Sequence, residues 1–430
     1  MKLDKISLLL LGALTLASCS DIDEQYPEGG NLLADQKQES QDAVPSRMDA
    51  TLSGMYTMMG APYAVYGSRS ARDDDFGFIS AAISLDLEGA DATSANNGYN
   101  WFSAACAYST RNPNYANPYM RYTMPYRQIG VANEIINSVD MATAEDVAKY
   151  KAAQAYAIRA FDYMSLAPYF QGNYASCKDQ PCVPMIKADG DATNNPRATV
   201  AEVYTAIIDD LSYAIDNLTD AREDKSRINK SVALGLRARA YLYMGEYAKA
   251  LVDAEAAMKG YTPASLADVS VPGFDDSSAS NWMWTYDLTD DQVASAAASY
   301  ATAASWMSAF CGQGYAVATG NVPMINKLLY DKIPATDVRK GWWLDENLHS
   351  PLLANLEWKD SKGNVLAKGD AIAPLKIKDV KEPLVAYANV KFGMKSGVGS
   401  SKNNNSWPLM RVEEMILIEA ECLAQTGNEA

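Results

Sequence analysis

Ser231 to Gly260 reads SVALGLRARAYLYMGEYAKALVDAEAAMKG, and its spacing decides the architecture. Gly245-Glu246-Tyr247 separates two apolar runs of helical period, so the segment folds back on itself as helix, turn, helix. Set against the repeat of about 34 residues in which paired helices stack, Ala238, Ala250 and Ala257 fall where two helices touch. Small side chains there let the backbones approach. Tyr241 and Tyr247 fill the aromatic positions.

A second copy begins at Glu413 with EEMILIEAECLAQTGNEA, where Ala420 and Leu423 occupy the corresponding slots and Gly427 the turn. One such pair cannot bury its apolar face alone, so the fold class is mainly α, with tetratricopeptide-like helix pairs forming a scaffold. The chain stops at Ala430 before the partner helix of that last unit. The C-terminus therefore reads as truncated, leaving Leu417 and Leu423 partly uncovered. Further amphipathic helices are expected at Ser46–Met59, Tyr122–Val139, Glu145–Leu166 and Thr199–Leu218. Ala61–Ala116 has poor periodicity and mixes Gly, Asn, Ser and aromatic residues, the mark of a long functional loop. Residues 262–408 carry few helical stripes and several Pro and Gly. They are expected to form an irregular, ligand-facing part with small β elements, a short helix at 293–311, and a hairpin within Lys359–Val390 around DSKGN and KDVKEP. The scaffold is thus assigned to 46–261 and 409–430 of a single domain spanning 46–430.

The front end gives an address. Lys2 and Lys5 precede an apolar or small run from Ile6 to Ala17, the layout of a secretory signal over 1–18. The order Leu16-Ala17-Ser18-Cys19 resembles a bacterial lipoprotein signal, in which the cysteine becomes the first residue and carries acyl chains. Two or more chains hold a protein on a membrane where one is marginal. Residues 19–45 then read as a lipidated acidic tether with Asp21, Asp23 and Glu24 beside the anchor, a pattern that accompanies export to the cell surface in some Gram-negative lipoproteins.

Composition narrows the partners. A formal charge of −16 argues against nucleic acid, whose binding rests on clustered Lys and Arg. Tyrosine is abundant, 26 against 8 Phe, and offers both a stacking face and a hydroxyl, which suits wet interfaces and polar ligands. The single His349, with no nucleophile elbow, phosphate-cradling loop or zinc pattern, disfavours most enzyme templates. Paired carboxylates of a glycosidase stay open. Cys177 and Cys182 in CKDQPC leave a small disulfide loop or a zinc ligand pair as alternatives. No metal or cofactor is assigned.

Capture of a saccharide needs flat rings for the C–H face of the sugar and polar groups for its hydroxyls. NNGYNWF supplies Tyr99 and Trp101 as platforms, with Asn97 and Asn100 as hydroxyl partners. In SNWMWTYD, Trp282, Trp284 and Tyr286 alternate and would face one side of an extended strand. An arc built from both stretches is the expected site. Each Trp also has a plain reading as core, and Trp342 and Trp343 in RKGWW read as packing. Arg72 in RDDDFGF is a candidate hydroxyl partner within what is otherwise a solvated loop.

These residues converge on a known family. The lipoprotein cysteine, YKAAQAYAIRAFDYMSLAPYF (150–170), CVPMI (182–186), TVAEVYTAIIDDLSYAIDNL (199–218), the repeat at 230–258, PATDVRKGWW (334–343) and MRVEEMILIEAE (410–421) follow the order seen in SusD/RagB proteins. The chain resembles this family over nearly its whole length. The resemblance implies an outer-membrane lipoprotein that captures glycan and delivers it to a TonB-dependent SusC-type transporter without catalysis. Two alternatives stand beside it: peptide or glycoprotein cargo at the same address, or a protein–protein adaptor built on helical repeats. The chain departs from the family pattern at its missing end and at the enlarged turn QGNYASCKDQPCVP (171–184).

Overall fold

The computed structural model describes residues 46–60, 77–94, 102–186, 194–288, 323–354, 357–359, 362–368, 385–393, 395 and 404–427. The chain divides into two units, Met1–Thr51 and Leu52–Ala430. Of the first unit, the described residues are the opening turns of α1 (Ser46–Thr57), where the Thr51 hydroxyl donates to the Arg47 carbonyl at 3.1 Å. Everything below concerns the second unit.

Its remaining elements, in chain order, are α2 (Phe78–Glu88), β1 (Ala92–Ser94), α3 (Phe102–Cys106), α4 (Ala116–Asn137), α5 (Asp146–Phe170), α6 (Tyr174–Cys177), β2 (Pro181–Pro184), β3 (Arg197–Thr199), α7 (Val200–Asn217), α8 (Lys230–Met244) and α9 (Tyr247–Ala257). Then follow β4 (Trp282–Asp287), β5 (Pro323–Ile325), α10 (Lys327–Lys332), β6 (Glu357–Lys359), β7 (Val365–Lys368), β8 (Ser406–Arg411) and α11 (Val412–Thr426). Among the described residues the fold is mainly α, as expected. The eight short strands form four two-stranded sheets, β1–β5, β2–β3, β4–β8 and β6–β7.

The helices stack in succession: α4 on α5, α5 on α7, α7 on α8, α8 on α9, and α9 on α11. Small residues make this close approach possible. Ala152, Ala153, Ala155, Ala157 and Ala160 of α5, with Ala238, Ala250 and Ala257 of the repeat, are fully buried. Local signals fix the ends. Thr199 and Glu202 form a reciprocal capping box on α7, and the Asn229 side chain accepts from Val232 N–H at the start of α8. Gly245 and Gly427 end α8 and α11 at φ 76° and 74°, a left-handed conformation that costs a side-chain-bearing residue about 1–2 kcal/mol. The first helix of each repeat unit thus ends in the same way. Leu417 is 69% exposed on the outer face of α11 and Leu423 is half-buried.

Partly buried bidentate ion pairs tie neighbouring helices. Arg159 of α5 donates to Asp210 of α7 at 2.8 and 2.7 Å, Arg237 of α8 to Asp253 of α9 at 2.6 and 2.8 Å, and Arg239 of α8 to Glu414 of α11 at 2.7 and 2.8 Å. Such pairs fix geometry more than they add stability, because the charges must first be desolvated. Asp162, in the middle of α5, is 1% exposed and one of its carboxyl oxygens has no hydrogen-bond partner. Burial raises its pKa well above the usual carboxylate range.

Several expectations need correction. Within the stretch read as irregular, residues 78–88 are a helix whose Ile79, Ile83 and Leu87 recur at helical spacing and are buried. Helix α4 begins six residues before the expected Tyr122, because Pro118 lies in the first turn, where its missing N–H costs nothing. The helix also runs through Pro125. The hairpin is present as β6–β7 around DSKGN, with Gly363 at φ 82°, while KDVKEP and the helix expected at 293–311 lie outside the described residues. Cys177 and Cys182 are both free thiols, and Cys182 is buried, its Sγ directed at the Ala167 carbonyl.

Candidate functional site

The arc expected from two aromatic stretches does not form as drawn. Trp282, Trp284 and Tyr286 are 1%, 0% and 6% exposed, so none offers a face to a ligand. The cause is strand pairing. β4 lies antiparallel to β8, with Trp282 opposite Arg411 and Tyr286 opposite Trp407, and this sheet joins two stretches more than a hundred residues apart. Both faces of β4 are then covered. The Trp284 indole N–H donates to the Ser226 carbonyl at 3.2 Å, and its ring meets Phe161 edge-on at 5.1 Å and 84°. The Tyr286 hydroxyl reaches the Thr57 carbonyl at 3.4 Å, and its ring lies against Gly60, where no Cβ would fit. Trp282 borders a cavity of about 150 Å³ with Phe274 and Asn281, but its ring remains sealed from solvent.

Asn97, Tyr99, Asn100, Trp101, Arg72 and Cys19 lie outside the described residues. The two attachments of the 95–101 stretch are described. Ser94 ends β1, which pairs with β5 through Ala92–Ile325, Thr93–Met324 and Ser94–Pro323, and Phe102 opens α3 with its ring buried. The stretch is therefore carried by a sheet at one end and a core-anchored helix at the other.

Against that sheet opens a cleft of about 380 Å³, walled by the end of α2, by β1 and β5, by Leu329 of α10 and by Trp343. Its volume lies in the range of small-molecule sites. The local chain explains why Trp343 faces it. Val338–Trp342 is a 3₁₀ turn capped by Asp337, and Trp343 follows in extended backbone at φ −129° and ψ 147°. Its partner in the tandem, Trp342, turns into the structure. There the Trp342 indole N–H donates to the Val269 carbonyl at 2.8 Å, and its ring meets Phe274 edge-on at 6.0 Å. The Lys391 ammonium lies 4.5 Å above Trp342 and 4.2 Å above Phe274. Burial, followed by repulsion from Arg411, brings the pKa of that amine down to about 8.

Trp343 is half-buried, and its indole N–H has no partner among the described residues. Asp86 and Asp91 stand on the same cleft, and among the described residues neither carboxylate takes part in a hydrogen bond or ion pair. Desolvation raises the Asp86 pKa from its ordinary value, with Lys391 opposing; the residue as a whole stays exposed, so it remains an acceptor open to solvent. The cleft thus presents one ring, one unspent donor and two acceptors over walls of Ile83, Leu85, Pro323 and Ile325. That set suits a polyhydroxylated ligand with an apolar face. Among the described residues no three His, Cys, Asp or Glu side chains converge as a metal site would need, and no helix is long and apolar enough to cross a membrane.

Of the two rings in RKGWW, both half-buried, Trp342 packs on Phe274 and Trp343 lines the cleft.

A scaffold of stacked helices with a cleft beside a two-stranded sheet is an architecture of the helical-repeat class. The comparisons place it more narrowly. Residues 34–242 match the family model described as "Starch-binding associating with outer membrane". SusD-like protein P2 of Formosa agariphila is 28% identical over 257 residues, which is 59% of this chain and 46% of that protein. This chain thus matches about half the length of that curated relative. Among solved structures, a SusD-like carbohydrate binding protein from Bacteroides vulgatus shares the fold with TM-score 0.66 at 19% identity, over 89% of this chain and 72% of the other. A laminarin binding SusD-like protein does so with TM-score 0.57 at 17% identity, over 88% and 80%. The chain is thus similar to SusD-like proteins in sequence over residues 34–242 and shares their fold.

Proposed function

We propose that this protein is a cell-surface lipoprotein that captures oligo- or polysaccharide and delivers it to a TonB-dependent SusC-type transporter, without breaking a bond in its cargo. The observation that carries the reading is the Trp343 cleft, with its unspent indole N–H and the Asp86 and Asp91 carboxylates beside the strand that leads into the 95–101 stretch. A sugar ring laid on Trp343 would keep its C–H face dry and its hydroxyls bonded to groups that are otherwise unpaired. Tyr99 and Trp101, with Asn97, Asn100 and Arg72, extend the same surface in this proposal. Cys19 supplies the anchor, and the acidic residues after it favour display on the outer face. A rigid scaffold limits the entropy lost on binding, which is how such a site grips a hydrated ligand without an enclosing pocket.

Native gels containing laminarin or soluble starch, together with a glycan array, test this. Retardation by a polysaccharide, lost in Trp343→Ala and in Trp101→Ala with unchanged thermal midpoints, is the expected result. Binding confined to peptides would move the cargo to peptide or glycoprotein. Co-purification of a barrel transporter with no binding of either class would favour the adaptor.

A further inference from the structure

The first helix of the stacked series carries an aromatic feature that shares no residue with the Trp343 cleft. Tyr115 at the N-cap of α4, then Tyr119, Tyr122 and Tyr126, recur at i, i+4, i+7 and i+11. At 3.6 residues per turn these four lie within one sector of the helix, along about 16 Å at 1.5 Å per residue. Tyr115 and Tyr122 are 46% and 37% exposed, and the other two are half-buried.

The row is braced from beneath. The Tyr126 hydroxyl donates to the Pro184 carbonyl at 2.5 Å, its ring lies 4.7 Å from that of Tyr122, and Phe170 of α5 meets Tyr122 edge-on at 5.3 Å and 89°. Ahead of the helix, Tyr108 is 52% exposed in a left-handed conformation, φ 56°, with the Arg111 guanidinium 4.5 Å over its ring. A bulky residue in that conformation is strained, and here the strain presents a ring to solvent.

We propose that this tyrosine row is a second saccharide-binding strip, taking successive sugar units of a long glycan. The inference rests on the glycan-capture reading and adds to it the class of ligand, an extended chain in place of a short oligosaccharide. Three observations favour a glycan over a protein partner. The exposed large apolar side chains of this region are all tyrosines, whereas elsewhere they include aliphatics such as Leu417, Leu328 and Leu266. Tyrosine pairs a ring face with a hydroxyl, as a sugar does. The rim is polar, with Arg111, Asn112 and Asn114 exposed. The area is small as well. Three tyrosines about half exposed offer roughly 300 Å², against about 800 Å² per partner for a stable protein interface.

The test uses the full chain in native gels with laminarin and with soluble starch, and calorimetric titration with laminaritriose and maltotriose. Tyr115→Ala combined with Tyr122→Ala is expected to weaken retardation by the long glycan about tenfold and to leave trisaccharide affinity unchanged. Trp343→Ala is expected to lose both. Because Tyr122 also braces Phe170, Tyr115→Ala and Tyr108→Ala are measured singly with their thermal midpoints. Tyrosine variants that match the wild type while Trp343→Ala loses retardation would overturn the strip and leave the capture function standing. Equal loss of trisaccharide and polysaccharide in the tyrosine variants would overturn it as a separate site. Unchanged retardation with loss of a co-purifying protein would reassign the row to that partner. A wild type retarded by neither polysaccharide would sink both readings.

Discussion

Replacing Trp284 by alanine separates a structural indole from a ligand-facing one. The side chain is 0% exposed and so buries about 150–250 Å², worth roughly 4–6 kcal/mol at about 25 cal/mol per Å². A compact unfolded ensemble lowers that figure by about 10–40%, and measured Trp→Ala losses cluster near 3–5 kcal/mol. The edge contact with Phe161 and the donor to the Ser226 carbonyl each add on the order of 1 kcal/mol. A total loss of about 4–5 kcal/mol is expected. With a urea slope near 3 kcal/mol/M, the denaturation midpoint followed by far-ultraviolet circular dichroism should fall by more than about 1 M. Trp284→Phe, which keeps a ring but strands the Ser226 carbonyl, should lose far less. If Trp284→Ala retained its midpoint and yet lost polysaccharide retardation, the burial of β4 and the reasoning built on it would be wrong.

Two further outcomes follow from individual groups. Asp162 is buried with its pKa raised, so the folded state holds a proton that the unfolded chain releases near pH 4. The unfolded state therefore binds fewer protons above that pH, and stability declines as pH rises from about 4 toward the elevated folded value, then levels. Asp162→Asn should flatten this decline in the urea midpoint and exceed the wild type at pH 8; identical pH profiles would exclude the linkage. Cys19→Ala should move the protein from the membrane to the soluble fraction, and unaltered sedimentation with membranes would count against acylation.

Much of the scaffold was legible because its signals are local. The turn at Gly245, the buried Ala238, Ala250 and Ala257, and the Thr199–Glu202 cap each act within a few residues, and a period of 3.6 states which face is covered. Helix α2 was legible too in Ile79, Ile83 and Leu87, but Ser80 and Ser84 between them, both buried, blurred the stripe. The site was less so. Alternation in NWMWTYD gives one face of a strand and says nothing about whether that face meets water.

The sequence by itself determined a mainly α chain of stacked helix pairs, because helix periodicity, capping and small-residue contacts are written at short range. Only the tertiary structure decided which aromatic rings are available. β4 is sealed because its partner strand arrives from Ser406–Arg411, whereas Trp342 and Trp343 stay half-buried, the first donating to the Val269 carbonyl and the second lining the cleft beside β1 and β5. Exposure is a property of what comes to lie against a residue, and for these rings the covering elements lie far along the chain.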